Sequence, residues 1–409
     1  MSAGAAGQAN AVGEGPHFFL IAGEMSGDVL GSRLMVALER ETAGRARYSG
    51  IGGSTMGDAG LKSLFPMAEL SVMGLTEVLP KLPSLARRLR QTMAEIDKSR
   101  PDAVITIDSP GFNFRVAKRL AGQPMARIHY VAPSVWAWRA GRARATARLF
   151  DRLLALLPFE PPYFEAEGMR CDFVGHPVVE SDAARGDGAG FRIRHGIDSA
   201  CPLICVLPGS RHSETARLLP IFGRTVEVLA QSRPGLRIVV PAAETVADEV
   251  TSAVAQWAAP CVVVRGMGER FDAFAAADVA LAASGTVALE LAMADTPAVI
   301  AYRMSPLSAA LARRLVRVRY ANLVNIILNR EAVPELLQDR CRPDVLSNAV
   351  DRLLSDSGAR AGQVAAGREV LGRLGLGGTP PSTLAARAVM DTLSRPPRKT
   401  NGGTDERRI

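Results

Sequence analysis

Aromatic residues are scarce in this chain. They make up 5 % of its 409 residues, so aliphatic side chains must supply most of its 47 % hydrophobic content and fill its cores. Its five cysteines (Cys171, Cys201, Cys205, Cys261, Cys341) are an odd number without CxxC or Cys/His spacing. That argues against a disulfide framework or thiolate metal site and fits reduced, mostly buried thiols in a cytosolic protein. No uncharged apolar run of about 20 residues occurs, the length a spanning helix needs. The nearest stretch, 273–301, is interrupted by Asp278, Glu290 and Asp295. Residues 1–16 lack the basic start and apolar stretch of a signal peptide and read as a disordered extension. The chain has no GxGxxG after a strand, no Gly-Lys dipeptide, no GxSxG, no HExxH and no Asp-x-Asp. Nicotinamide chemistry, P-loop hydrolysis and metal-bound diphosphate therefore lose their usual sequence support. The histidines (His17, His129, His176, His195, His212) have no metal spacing, and neither a metal nor a cofactor is expected.

What is present points to an α/β protein. A chain of this length is expected to form two domains. Short aliphatic runs at 18–22, 103–107, 127–131 and 153–157 alternate with helical patterns. The same holds for 203–207, 237–240, 261–265, 278–282 and 297–301. This alternation predicts βαβ units and parallel sheets. The stretch 181–190 has loop composition and no apolar periodicity, so the expected division is a first domain at 17–180, a linker at 181–190, a second domain at 191–390 and a disordered basic tail at 391–409. Two doubly wound, Rossmann-like domains would leave a ligand cleft at the carboxyl ends of their sheets.

The formal net charge of +8 favours an anionic partner: nucleic acid, a phosphorylated substrate or an anionic membrane face. Arginines gather at 87–90, 139–148 and 313–319 among apolar residues, as either interfacial surface or solvated helix faces. No nucleic-acid module is present, and nucleic acid is not an expected partner.

Four stretches carry chemistry. In "LAASGTVALELA" (281–292) a buried strand ends at Ser284-Gly285-Thr286 and a helix follows. Unpaired N–H groups at that helix start suit a diphosphate, and Glu290, one turn on, could accept both hydroxyls of a ribose. The alternative is a Ser or Thr cap with a surface glutamate. In "LPGSRHSE" (207–214) Gly209 permits close backbone approach, Ser210 could cap the next helix, and Arg211 offers a planar cation to phosphate oxygens. The alternative is an ordinary cap with a solvated arginine. In "TIDSPGFN" (106–113) Asp108 ends a strand before a Ser-Pro-Gly turn, as a general base or as an Asx-turn. In "GEMSGD" (23–28) turn residues again follow an apolar run. Trp136 and Trp138 stand beside a basic helix as core, stacking surface or interface belt, with core the default. Met73, Leu75, Val78, Leu79 and Leu82 lie in a stretch interrupted by Gly74, Pro80 and Pro83, which is either a lipid-facing patch or a buried hairpin or lid. Leu85, Leu89, Met93 and Ile96 have helical spacing and should face a core.

Taken in order, these motifs resemble one family. The stretches "AGEMSGDVLG" (22–31), "MGLTEVLPKL" (73–82), "IDSPGFN" (107–113), "HYVAPSVWAWR" (129–139), "LPFE" (157–160), "FVGHPV" (173–178), "LPGSR" (207–211), "ASGTVALE" (283–290), "YRMSP" (302–306) and "NREAVPELLQ" (329–338) are similar to lipid-A-disaccharide synthases, inverting glycosyltransferases of the GT-B fold. The resemblance covers about residues 17–390. It implies a transfer from UDP-2,3-diacylglucosamine to 2,3-diacylglucosamine 1-phosphate, giving the β-1,6-linked disaccharide phosphate and UDP without a metal. It also implies a cytoplasmic protein held peripherally at the inner-membrane surface, and is compatible with a homodimer.

On this resemblance Asp108 is the base candidate and Glu24 the second choice. Gly23, Glu24, Ser26 and Gly27 form the acceptor-side turn. Arg211 and the N–H groups of Ser284, Gly285 and Thr286 stabilise departing UDP, with Gly209 and Ser210 in the same turn region. Glu290 binds ribose, Asn325 and Gln338 line the donor site, and the 73–82 stretch contacts lipid. Where relatives carry a second aspartate in the "IDxPDFN" pattern this chain has Gly111, which concentrates the base role on Asp108. A transferase or epimerase of soluble UDP-sugars is the same-fold alternative. A non-catalytic nucleotide-sugar or nucleic-acid binder is the alternative of another class.

Overall fold

The aliphatic runs form parallel strands because helices cover both faces of each sheet, so their residues are mostly apolar, and the polar ones there, such as Thr106, Arg127, His129 and Arg152, are buried with hydrogen-bond partners. In the computed structural model residues 15–70, 75–137, 141–305, 309, 314 and 318–395 are described, with backbone alone at 75–81 and 267. The first sheet contains β1 (His17–Ala22), β2 (Arg47–Ile51), β3 (Ala103–Ile107), β4 (Ala126–Tyr130), β5 (Arg152–Ala155) and β6 (Arg170–Phe173). The second contains β7 (Leu203–Leu207), β8 (Arg237–Ala242), β9 (Cys261–Arg265), β10 (Val279–Ala283), β11 (Ala298–Tyr302) and β12 (Glu335–Leu337). All pairings are parallel, in the orders β2-β1-β3-β4-β5-β6 and β12-β11-β10-β7-β8-β9. The expected α/β class with two doubly wound sheets is what the chain forms.

Strands β2, β6 and β12 have no counterpart among the expected runs, and each lies at a sheet edge. An edge strand pairs on one side only, so Arg-Tyr-Ser-Gly-Ile at β2 and Arg-Cys-Asp-Phe at β6 need not be continuous apolar runs, and their polar residues are partly exposed.

The chain divides into two compact units at places the sequence reading did not choose. The first unit runs up to Gly175, apart from a short excursion after Val135, and resumes at Thr379; the second is centred on His176–Gly378. The stretch 181–190, expected to be a linker, lies inside the second unit. Its glycines serve packing: a Cβ on Gly186 would meet the Phe271 carbonyl oxygen at 2.2 Å. Asp187 caps the helix Gly188–Arg194 through the Gly190 N–H at 2.8 Å, and its own N–H donates to Asp272 Oδ1 at 2.7 Å.

The helix Pro381–Leu393 belongs to the first unit, although residues to 390 were expected in the second domain and 391–409 in a disordered tail. Ala385, Ala386, Ala388 and Val389 enter the core that holds Phe18, Leu34 and Leu38. Arg152 on β5, almost fully buried, fastens this helix. Its Nε and Nη2 donate to Asp172 at 2.6 and 2.8 Å, while Nη1 donates to the Ala388 carbonyl at 2.6 Å and Asp391 at 2.7 Å. The arginine is buried while both carboxylates are partly exposed, so removing either acid leaves a buried cation short of one partner. The tail beyond Arg395 lies outside the described residues.

The prolines of the 73–82 region do not break its helix. One helix spans Leu75–Ser99 through Pro80 and Pro83, each of which removes a single backbone donor. Leu85, Leu89 and Ile96 are buried as their spacing predicts, with Met93 packed beside them. Leu82 is exposed. Met73 lies outside the described residues, as do the side chains of Leu75, Val78 and Leu79 and all of Trp138.

Candidate functional site

Each sheet has one place where the strand order reverses, and there the loops leave in opposite directions and open a crevice. In the first unit that place lies between β1 and β3, whose ends are in register at Ala22 and Ile107. The Gly23–Glu24 turn and the Asp108–Ser109 turn therefore emerge side by side. Their contact is close, since a Cβ on Gly23 would meet Ser109 Oγ at 2.4 Å.

Glu24 stands extended at the start of the helix Met25–Glu41, Ser26 is exposed in its first turn, and Gly27 is buried beneath it. The second acid of this motif has a different task. Asp28 is buried, and its Oδ1 accepts the N–H groups of Gly53 (2.7 Å) and Met56 (3.1 Å). Its Oδ2 accepts the Thr55 N–H (2.9 Å) and the Thr55 hydroxyl. Asp28 thus caps the helix Ser54–Asp58 and is saturated by it.

Asp108 continues the ladder from β3, its N–H donating to the Tyr130 carbonyl at 2.9 Å. The backbone then turns left-handed at two successive non-glycine residues, Asp108 (φ 49°) and Ser109 (φ 43°), before Pro110 opens the next helix. Such positions cost on the order of 1–3 kcal/mol each and persist only where neighbours hold them. Here the neighbour is Asn113, fully buried, whose Nδ2 donates to the Ile107 and Asp108 carbonyls at 3.1 and 2.7 Å. Val131, at the end of adjacent β4, is left-handed too (φ 82°). Burial raises the Asp108 carboxyl above the usual aspartate range, and a hydrogen bond with the Ser109 backbone only partly opposes it. A carboxylate raised in this way is a stronger base near neutral pH.

In the second unit the reversal lies between β7 and β10, and both glycine turns leave from it. After β7, Gly209 takes φ 111°, which side-chain-bearing residues avoid. A Cβ there would meet Glu214 Oε2 at 2.6 Å. Ser210 does not cap the following helix, as it was expected to do. The capping position is Arg211, and Glu214 reaches back from the first turn to accept the Ser210 N–H at 3.1 Å. Glu214 Oε1 also lies 3.4 Å from Arg211 Nη1, a loose pair that leaves the guanidinium more than half exposed. After β10, Ser284, Gly285 and Thr286 lead into the helix Val287–Met293, and among the described residues no side chain caps that turn. Glu290, expected to meet a ribose, is only partly exposed and accepts from Arg270 Nη2. Burial raises its carboxyl while Arg270 pulls it down.

Gln338 stands in a left-handed conformation (φ 51°) at the end of β12, its Oε1 accepting the Met304 N–H at 3.3 Å beyond β11. It shares the carboxyl edge of the sheet with the two turns. Asn325 does not line that edge. It is fully buried, and its Nδ2 donates to the Val333 carbonyl and to Glu335 Oε1, both at 2.8 Å. Its Oδ1 accepts the N–H groups of Ala332 (2.8 Å) and Val333 (2.9 Å). Every polar atom of the amide is spent on folding the loop before β12.

Each of the five histidines has a protein partner. His129 is stacked on Phe150 in the core and held by Thr106 at 2.7 Å, its pKa pushed down to about 3 by burial. His17 meets Ser49, His176 is a buried cap, and His195 and His212 pair with Glu269 and Glu249. The cysteines are free thiols. Among the described residues no helix is long and apolar enough to cross a membrane.

Two doubly wound, parallel six-stranded sheets with flanking helices are the architecture of the GT-B fold class. Solved structures of that architecture align over nearly the whole chain. A UDP co-structure of MnaA from S. aureus has a TM-score of 0.64 at 11 % identity, covering 93 % of this chain and 96 % of the other. UDP-GlcNAc 2-epimerase from Neisseria meningitidis, bound to UDP-GlcNAc, has 0.63 at 12 % identity, covering 92 % and 99 %. MurG of Acinetobacter baumannii has 0.55 at 13 % identity, covering 93 % and 99 %. At these identities the likeness is one of fold.

The family comes from sequence. Residues 18–376 match the lipid-A-disaccharide synthetase family. The chain is 56 % identical to the lipid-A-disaccharide synthase of Paramagnetospirillum magneticum over 388 residues, 94 % of this chain and 99 % of that one. It is also 56 % identical to that of Rhodospirillum centenum over 379 residues, 92 % and 94 %. The chain belongs to the lipid-A-disaccharide synthase family and is a glycosyltransferase of lipid A biosynthesis, with a UDP-sugar as donor.

Proposed function

We propose that Asp108 is the general base of an inverting transfer from UDP-2,3-diacylglucosamine to 2,3-diacylglucosamine 1-phosphate. The observation that carries this reading is the Asp108–Ser109 turn: two left-handed residues, held by Asn113, keep a carboxylate of raised pKa at the reversal point of the first sheet. In the reaction the acceptor 6-hydroxyl gives its proton to Asp108 while its oxygen attacks the anomeric carbon. The bond from that carbon to the diphosphate breaks on the opposite face, UDP leaves, and an α-linked donor gives a β-linked product. The first unit takes the acceptor role, with Gly23, Glu24, Ser26 and Gly27 beside the base.

The second unit takes the donor. Arg211 and the N–H groups at Ser284, Gly285 and Thr286 receive the charge that develops on the diphosphate. Gly209 and Ser210 shape the first turn, Glu290 takes the ribose, and Gln338 lies at the same edge. This assignment contains no metal. The acylated substrates call for a position at the cytoplasmic face of the inner membrane, where Leu82 and the exposed Arg87 and Arg90 of the Leu75–Ser99 helix would meet anionic lipid.

The test is UDP release from the diacylated donor in detergent micelles containing a chelator, with and without the acceptor. Release that needs the acceptor, survives chelation and disappears in Asp108→Asn supports the reading. Turnover of Asp108→Asn near the wild-type rate removes Asp108 from the chemistry, and loss of activity with the chelator removes the metal-free route.

A further inference from the structure

We infer that Arg270 is a positioning residue for the donor nucleoside, acting through Glu290; the inference rests on the ribose reading of Glu290. Arg270 is twenty residues away on a different helix, Met267–Ala276, and the sequence shows no motif that joins the two. In the fold its guanidinium donates through Nη2 to Glu290 Oε2, with side chains 26 % and 21 % exposed. The guanidinium lies 5.2 Å from the Phe274 ring centroid and 6.0 Å from that of Phe271, at cation–π range. A planar cation placed over aromatic rings has few rotamers left, so it fixes the carboxylate plane as well as its charge.

The consequence concerns the second carboxylate oxygen. With Oε2 taken by Arg270, Oε1 is the atom left for a ligand, and its position is set before the ligand arrives. A glutamate in a helix has three rotatable bonds, and ordering such a side chain on binding costs roughly 0.5–1.5 kcal/mol. Arg270 meets that cost during folding. It also opposes the burial that favours the protonated form of Glu290, and a protonated carboxyl would accept ribose hydroxyls less well. Arg270 therefore sets how strongly the site distinguishes a ribose from a 2′-deoxyribose, without touching the nucleotide.

Binding of UDP and of 2′-deoxy-UDP to the full-length protein, followed by titration calorimetry, tests this together with steady-state kinetics. In the wild type UDP should bind about tenfold more tightly than 2′-deoxy-UDP, the value of one charge-assisted hydrogen bond. Arg270→Gln should reduce that preference to about twofold and raise KM for the UDP-sugar while kcat changes little. Arg270→Lys, which keeps the charge but not the planar fork, should fall between the two and decides the matter if Arg270→Gln does not fold. A variant that weakens both nucleotides equally, with the preference intact, overturns the positioning role and leaves the ribose role of Glu290 standing. A wild type without any preference overturns both, and a Glu290→Gln protein that keeps the preference does the same.

Discussion

The two units share a sheet plan and differ in what they place at its reversal point. Between β1 and β3 the backbone is bent through residues with side chains, Asp108 and Ser109, and Val131 follows on the next strand. Between β7 and β10 the corresponding turns use Gly209 and Gly285, with Arg211 and bare N–H groups alongside. A proton acceptor must be a side chain, so the first unit bears left-handed strain at a residue that can carry a carboxylate. An anion site built from backbone needs only room, so the second unit uses glycine. One architecture thus serves opposite electrostatic tasks through the residue type allowed at equivalent strand ends.

The contrast can be broken most forcefully at Asp108. Asp108→Asn should lower kcat by roughly a hundred- to ten-thousand-fold, the usual contribution of a general base, and leave UDP affinity unchanged. A parallel loss of UDP affinity would show that the units do not divide the work this way. Next in size is Asn325→Ala, which strips a buried loop of four hydrogen bonds. It should cost about 3 kcal/mol by denaturant titration while the surviving folded protein keeps its KM, in line with a structural rather than donor-site role. An altered KM at unchanged stability would return Asn325 to the site.

Smaller effects sharpen the comparison. Gly209→Ala forces a Cβ onto the Glu214 carboxylate at a left-handed φ and should weaken UDP binding about tenfold, a loss of roughly 1.4 kcal/mol. The pH dependence set by Asp108 should stay where it was. The smallest effect is on stability. Burial raises the folded pKa of Asp108 above its ordinary 3.8, so the folded chain binds that proton more tightly than the unfolded chain. Its contribution is most favourable below the unfolded pKa and declines as pH rises through the folded one. Asp108→Asn removes that decline, and the inactive variant should melt slightly higher than wild type at pH 7 and no higher at pH 3.

Much of this was legible in the chain. The central strands announced themselves as largely aliphatic runs, since a strand covered on both faces has few polar positions. The turns after β1, β3, β7 and β10 were visible as Gly, Ser and Asp clusters at the ends of those runs. Asp28 was not legible as a cap, because its partners at Gly53, Thr55 and Met56 become neighbours only when β2 pairs with β1. Ser210 looked like a cap, yet the capping position falls one residue later, at Arg211, and Ser210 instead gives its own N–H to Glu214.

The sequence alone determined the class of fold, the family and the stretches where chemistry gathers, because these depend on local alternation and on ordered short motifs. Tertiary structure decided which polar residues are spent on folding and which remain for a ligand. It put Arg270 beside Glu290, buried Asn325 against Glu335, and returned the Pro381–Leu393 helix to the first unit through Arg152. Each of these depends on contacts between elements distant along the chain or on burial. Neither leaves a period or a spacing in the sequence, since both arise only when the sheets and their helices close around a core.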